Sequence, residues 1–252
     1  MGYNVIKEDK YDIIYFIVII IQAFLLKVLY FGWRFIMAIK AVVFDLDGVL
    51  VDTDRFHYQA WKRILGELGK EFTQEDNEQI KGVARLKSLE ILLKMKDIDM
   101  SEVEKMRVLR KKNNWYLEYV TEVDRESILP GVEEFLELLK FNGYRTAIAS
   151  TSDNTSIILE LTGLKKYFDV VIDGYQVKSP KPNPEVYLVS AMALNLEPNE
   201  CAVFEDSRAG VLAAKRAGMH VVAVSERPIG VADKWIRSLE NLDMDVLKFS
   251  SR

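Results

Sequence analysis

Cysteine is almost missing: Cys201 stands alone among 252 residues, so no internal disulfide and no cysteine-rich metal centre can form, and the chain suits a reducing compartment. Any metal must then be bound mainly by oxygen. A surplus of positive charge is missing too. Lys and Arg number 34 against 38 Asp and Glu, the formal charge is −4 and the pI is near 5.5, with the basic residues spread along the chain. That distribution makes nucleic acid a poor partner. Internal repeats and low-complexity segments are absent. What is present suffices to fold: 49% hydrophobic and 29% charged residues speak against disorder, and the length suits one large domain or a domain carrying a small insert.

One apolar stretch near the start stands out. Ile13 to Trp33 carries a single charge, Lys27, and as a helix could cross a hydrocarbon core of about 30 Å. It reads as a membrane span, since one snorkelling lysine costs at most ~3 kcal/mol against the Ile, Leu, Val and Phe around it. The tether from Arg34 to Lys40 reaches at most ~25 Å, and Met37 offers an alternative start just before the next element. Residues 1–38 are therefore read as an apolar leader, a misplaced start ranking above a true anchor, with membrane contact confined to residues 13–33. A cleaved secretory signal fits worse, because the run is too long and no small-residue cleavage site follows it.

Ala41-Val42-Val43-Phe44 is a short apolar run ending in Asp45-Leu46-Asp47-Gly48, the pattern of a buried strand that delivers two carboxylates into a loop. Trp61, Ile64, Leu65 and Leu68 keep helical spacing before Gly69, and further helical patterns occupy about Arg85 to Met95 and Ser101 to Val123. From Pro130-Gly131 the rhythm alternates: a helix to Asn142-Gly143, a strand Thr146 to Ala149, a helix ending near Gly163, a strand Asp169 to Ile172. Asn183-Pro184 predicts a helix cap with Pro at the first helical position; a strand Ala202 to Phe204, a helix Ser207 to Ala217 and a strand Val221 to Val224 follow. Strands separated by single helices predict an α/β fold, a parallel sheet covered on both faces with right-handed crossovers. The helical block 54–128 is then an insert after the first strand, a lid.

In an open parallel sheet the ligand site lies beyond the carboxyl ends of the strands, and polar residues gather there at four strand ends. Asp45 and Asp47 follow the first, Ser150 with Thr151, Ser152 and Asn154 the second, Lys181 lies beyond the third, and Glu205-Asp206 ends the fourth. Alone, Asp-x-Asp-Gly would be a turn or cap, the serines loop polarity and Lys181 a solvated lysine. Together, four acids repel unless a cation or proton neutralises them, and a hard divalent ion such as Mg²⁺ suits carboxylates better than zinc does. A carboxylate can attack phosphorus to give an aspartyl phosphate, with Asp45 placed best. Lys181 would cancel charge, Asp47 could protonate the leaving oxygen, and the Ser150 hydroxyl could hold phosphoryl oxygens. His220, Trp61, and the charges at Glu67, Glu71 and Lys94 to Asp99 read as structural or solvated.

In order and spacing, Asp45-Leu46-Asp47-Gly48, Ser150, Lys181 and Glu205-Asp206-Ser207 resemble the four motifs of the haloacid dehalogenase superfamily of phosphotransferases, over Ile39 to about Phe249. The resemblance implies a Rossmann-like core (39–53 and 129–252), an inserted α-helical cap (54–128), and Mg²⁺ held by Asp45, the backbone carbonyl of Asp47, Glu205 and Asp206. Within the superfamily the cap looks most like the β-phosphoglucomutases: Thr53 and His57 stand as hinge and acid/base-supporting histidine, and Lys81-Gly82-Val83 with Arg85 and Ser88 resembles the cap signature. Ser152 and Asn154 match positions that hold the second, non-transferring phosphate, whereas Asp153 departs from a pattern that has a basic residue there. The activity so implied is interconversion of β-glucose 1-phosphate and glucose 6-phosphate through a bisphosphate, by a cytoplasmic monomer primed with a hexose bisphosphate. The alternatives are a sugar-phosphate phosphatase on the same core residues, a non-catalytic phosphosugar-binding or membrane-tethered regulator, and a membrane-anchored protein with its catalytic domain in the cytoplasm.

Overall fold

Six short strands make one parallel sheet: β1 (Ala41–Phe44), β2 (Arg145–Ala149), β3 (Val170–Ile172), β4 (Cys201–Glu205), β5 (His220–Val224) and β6 (Lys234–Ile236), in the order β3-β2-β1-β4-β5-β6. This computed structural model describes residues 21–22 and 39–249. The chain divides into two units, 1–38 and 39–252. In the first only the helical, exposed Ile21 and Gln22 are described, so the predicted span 13–33 otherwise lies outside the described residues. Among the described residues no helix is long and apolar enough to cross a membrane.

β1 sits at the centre with neighbours on both edges and both faces covered, which is why its sequence is apolar without alternation. Phe44 pairs in register with Ile148 and Phe204. Val42 and Phe44 face one core, where Phe44 meets Phe135 edge-on at 6.3 Å and Phe204 at 5.1 Å. Ala41 and Val43 face the other, closed by Val186 and Tyr187 of a helix Glu185–Ala193 and by Val211, Ala213 and Ala214 of a helix Arg208–Arg216. Each large apolar side chain enclosed this way contributes about 1.5–3 kcal/mol. From β1 the chain proceeds to β2 and β3 on one side, then crosses to β4 on the other. The crevice at that reversal is where Asp45 and Glu205 emerge.

Between β1 and β2 lie α1 (Asp54–Glu67), α2 (Gln74–Ile80), α3 (Arg85–Met95), α4 (Glu102–Val120) and α5 (Val132–Phe141). The remaining helices are α6 (Thr155–Thr162), α7 (Glu185–Ala193) and α8 (Arg208–Arg216). Phe56 stacks on Tyr119 at 6.2 Å and joins α1 to α4. Capping boxes at Thr73/Asp76 and Ser101/Glu104 satisfy the first amides of α2 and α4.

Three details differ from the expectation. Pro184 is the cap itself, and α7 begins one residue later at Glu185, whose amide donates to Asn183 Oδ1 at 3.0 Å. β6 adds a sixth strand that the sequence pattern does not signal. Lys96, read with its neighbours as a solvated face, instead ties the end of α3 to the buried Asp76 at 2.6 Å.

Candidate active site

Asp45 is positioned by the sheet: its amide continues the ladder, donating to Phe204 O at 3.0 Å, and its carboxylate emerges buried at the tip of β1. The chain then turns at Gly48, with φ +76°. A Cβ there would lie 2.1 Å from Asp206 Oδ2, so both backbone angle and close approach require glycine. Glu205, fully buried at the end of β4, has both oxygens engaged. Oε1 accepts from Lys181 at 2.6 Å and Tyr187 at 3.2 Å; Oε2 accepts from the amide and hydroxyl of Ser207 at 2.7 and 3.0 Å.

Lys181 is 1% exposed and places Nζ 2.6 Å from both Asp45 and Glu205. Burial acts to lower its pKa, but the two carboxylates outweigh it and hold the ammonium well above its usual range. Lys81, expected among the substrate contacts, points to the acids instead, with Nζ 2.7 Å from both Asp54 and Asp206. Its neighbour Gly82 has φ +72° and packs so tightly on Ser207 that a Cβ would lie 2.1 Å from the hydroxyl. Two lysines therefore offset part of the repulsion among the acids.

Neutralisation is incomplete. Burial, aided by Glu205 and Asp47 against Lys181, lifts the Asp45 carboxyl to about 8, and burial with Asp54 raises Asp206 well above the usual carboxylate range. One oxygen from each of Asp45, Glu205 and Asp206 can lie within 4.8 Å of the others. Three buried carboxylate oxygens, those of Asp45 and Asp206 driven toward protonation, are hard donors that a small divalent cation would hold ionised, so the donor set fits Mg²⁺.

The Asp47 carboxylate belongs to a different group. Thr53 Oγ1 donates to its Oδ1, and His57 Nε2 lies 3.7 Å from Oδ2. Burial would raise its pKa, yet His57, the Thr53 hydrogen bond and the Lys112 charge prevail and lower it. Behind His57 stands Lys112 on α4, which sequence reasoning missed. Only 2% exposed, its Nζ is 2.7 Å from His57 Nδ1 and lies over the Trp61 and Tyr116 rings, while the imidazole stacks on Tyr116 at 4.1 Å. Burial and the nearby Arg85 lower Lys112 to about 7, and burial with Lys112 lowers His57.

Ser150, buried after β2, accepts the Ser152 amide on Oγ at 3.1 Å, and Ser152 Oγ accepts the Asn154 amide at 3.2 Å. Asn154 reaches across to α4 and donates to Asn113 Oδ1 at 3.1 Å. Arg85 donates to Asp153 from the start of α3. The Ser88 hydroxyl is taken up by the Val83 and Ala84 carbonyls at 3.0 and 3.2 Å, so its bonds hold the loop before α3. A cavity of about 520 Å³ is lined by Asp45, Asp47, His57, Lys81, Arg85, Lys112, Ser150 and Asp153 among others. His220 stacks on Phe249 at 4.4 Å, away from these groups, as its structural reading expects.

Residues 39–218 match the family of haloacid dehalogenase-like hydrolases. The chain is 34% identical over 211 residues to a β-phosphoglucomutase of Bacillus subtilis, covering 82% of this chain and 93% of that protein. It is 39% identical over 183 residues to a phosphorylated carbohydrates phosphatase of Thermotoga maritima, covering 71% and 82%. The crystal structure of a β-phosphoglucomutase from Clostridium difficile superposes with a TM-score of 0.79 at 34% identity, over 83% of this chain and 95% of that one.

Proposed function

Because the chain belongs to the haloacid dehalogenase-like hydrolases, we propose that it moves a phosphoryl group from a hexose phosphate to Asp45 and on to a second sugar hydroxyl, interconverting β-glucose 1-phosphate and glucose 6-phosphate. The observation that carries this is one cavity shared by the Asp45 cluster and a cap arginine, Arg85, so that a hexose can present a phosphate to each. Residues 54–128 serve as a helical cap on a core of 39–53 and 129–252, in a cytoplasmic monomer.

Asp45 attacks phosphorus; the Asp45 Oδ–P bond forms as the P–O bond to the donor breaks, and Lys181 offsets the charge that accumulates. Asp45, Glu205, Asp206 and the Asp47 carbonyl would hold Mg²⁺, whose charge offsets the phosphoryl oxygens when it is bound. Asp47 starts as a base, because its carboxyl is held below the usual range. It takes the proton of the attacking sugar hydroxyl as that oxygen bonds phosphorus and Asp45 is released. It then gives that same proton to the leaving oxygen as Asp45 attacks the other phosphate of the bisphosphate, so each proton taken is returned. The Ser150 hydroxyl donates to the transferred phosphoryl group, and the phosphorylated protein, primed by a hexose bisphosphate, is the form that accepts a monophosphate.

The test is to offer β-glucose 1-phosphate with Mg²⁺ and a hexose bisphosphate primer, following glucose 6-phosphate and free phosphate separately. Isomerisation is expected to exceed phosphate release, with both lost in Asp45→Asn. Release of phosphate alone from every hexose phosphate would sink the mutase reading. It would leave a sugar-phosphate phosphatase, which the Arg85–Asp153 pair favours because it engages the cation that a second phosphate needs.

A further inference from the structure

Arg85 already has an anion. Its guanidinium donates to Asp153 Oδ2, linking the start of α3 to the loop after β2, and both residues line the cavity that contains Asp45. Their side chains are 27% and 32% exposed, so a ligand entering the cavity reaches the pair. The carboxylate is also fitted from behind. A Cβ on Gly174 would fall 2.5 Å from Asp153 Oδ1 and 2.8 Å from the Thr151 carbonyl, so a side chain there would displace it. Among the described residues Asp153 has no cationic partner within 4.0 Å other than Arg85.

A second phosphate arriving at Arg85 meets two obstacles. Its Nη2 already donates to Asp153, and a fixed negative charge stands beside the incoming dianion. A hydroxyl-bearing end meets neither, because sugar hydroxyls donate to the carboxylate and accept from the guanidinium without disrupting the pair. Asn154 and Asn113, bonded to each other nearby, are neutral and equally suited to hydroxyls.

We propose that Asp153 is a specificity-determining residue, a built-in competitor for the second phosphate, so that the cavity prefers phosphate monoesters with a polyhydroxyl far end and holds bisphosphates weakly. The inference rests on the transfer reading, since it concerns which sugar phosphates the same cavity retains. A sugar bisphosphate formed there is held loosely enough to turn end for end before Asp45 attacks its other phosphate, Asp153 recapturing Arg85 between the two poses.

Calorimetric titration with Mg²⁺ in an Asp45→Asn background, where no ligand turns over, separates binding from chemistry. The probes are glucose 1,6-bisphosphate and glucose 6-phosphate. Adding Asp153→Asn is expected to tighten the bisphosphate about tenfold or more, while the monophosphate changes by less than about threefold. Arg85→Gln on top should cancel the gain. Asp153→Ser carries the same expectation, so misfolding of one variant leaves the test in place. Unchanged affinities, or equal tightening of both ligands, would overturn the role given to Asp153. Selective tightening with no turnover of any hexose phosphate by the protein bearing Asp45 would remove the transfer reading and keep Asp153. Turnover without selective tightening would do the reverse.

Discussion

A lysine with 2% exposure costs the fold stability, so Lys112 needs a reason to be where it is. Its contact with His57 supplies one: a protonated Nζ donates to Nδ1, fixing the tautomer that presents Nε2–H toward Asp47. Burial and Arg85 place its pKa at about 7, so its charge is present below that pH and lost above. Lys112→Met is therefore expected to slow transfer by about ten- to a hundredfold, the low end for acid–base support acting through another group. The ratio of natural to variant kcat should be largest below pH 7 and narrow above it. Stability should move the other way. A lysine whose folded pKa lies below its unfolded value weakens the fold at every pH under that unfolded value, so the Met variant should melt at higher temperature at pH 7. A pH-independent ratio, or a lower melting temperature, would count against this role. In sequence Lys112 was not legible. It follows Arg110 and Lys111 and looks like one more charge on a solvated helix face, and only burial sets it apart.

Among the elements, legibility followed burial. β1 and β4, enclosed on both faces, read as continuous apolar runs, and α1 and α3 showed their helical period. The helix α2, Gln-Glu-Asp-Asn-Glu-Gln-Ile, buries only Asp76 and Ile80 and has no apolar period to find, while β6 is three residues on a sheet edge. The acids and Lys181 were readable because strand ends converge by topology. The Arg85–Asp153 and Asp76–Lys96 pairs join segments 68 and 20 residues apart and have no local signature. Asp76 carries an element-scale expectation. It accepts the Thr73 amide at 2.8 Å as part of the α2 capping box and pairs with Lys96; burial would raise its pKa, but these partners lower it. Its contribution is thus present above the unfolded value near 3.9 and lost as pH falls through the lower folded value. Asp76→Asn should lose about 1 kcal/mol at pH 7 by denaturant unfolding, the size of a cap, and progressively less as the pH falls below the unfolded value. An equal loss across that range would show that the carboxylate charge is not what matters.

At the scale of the whole molecule, the expectation that residues 1–38 are an apolar leader dispensable for the chemistry can be tested by removing them. The unit 39–252 contains every site residue and both cores, and its first strand begins at Ala41. The entry of the chain into that unit is secured locally: the Lys40 amide donates to the Glu200 carbonyl at 2.8 Å and its Nζ reaches the Glu200 carboxylate at 2.5 Å. Truncation is tolerated when the removed backbone leaves no buried contact or hydrogen bond unmade, and the contacts just named all lie at or beyond residue 40. A chain beginning at Met37 is therefore expected to fold and to keep kcat/KM within about twofold of the full chain, with a melting temperature changed by only a few degrees. Separating cell extracts into membrane and soluble fractions for both lengths adds an independent readout. If residues 13–33 act as an anchor, the full chain sediments with membranes and the shortened one does not, with turnover equal in both. A shortened chain that aggregates, or loses more than about tenfold in kcat/KM while the full chain stays active, would mean that the leader supports the fold itself.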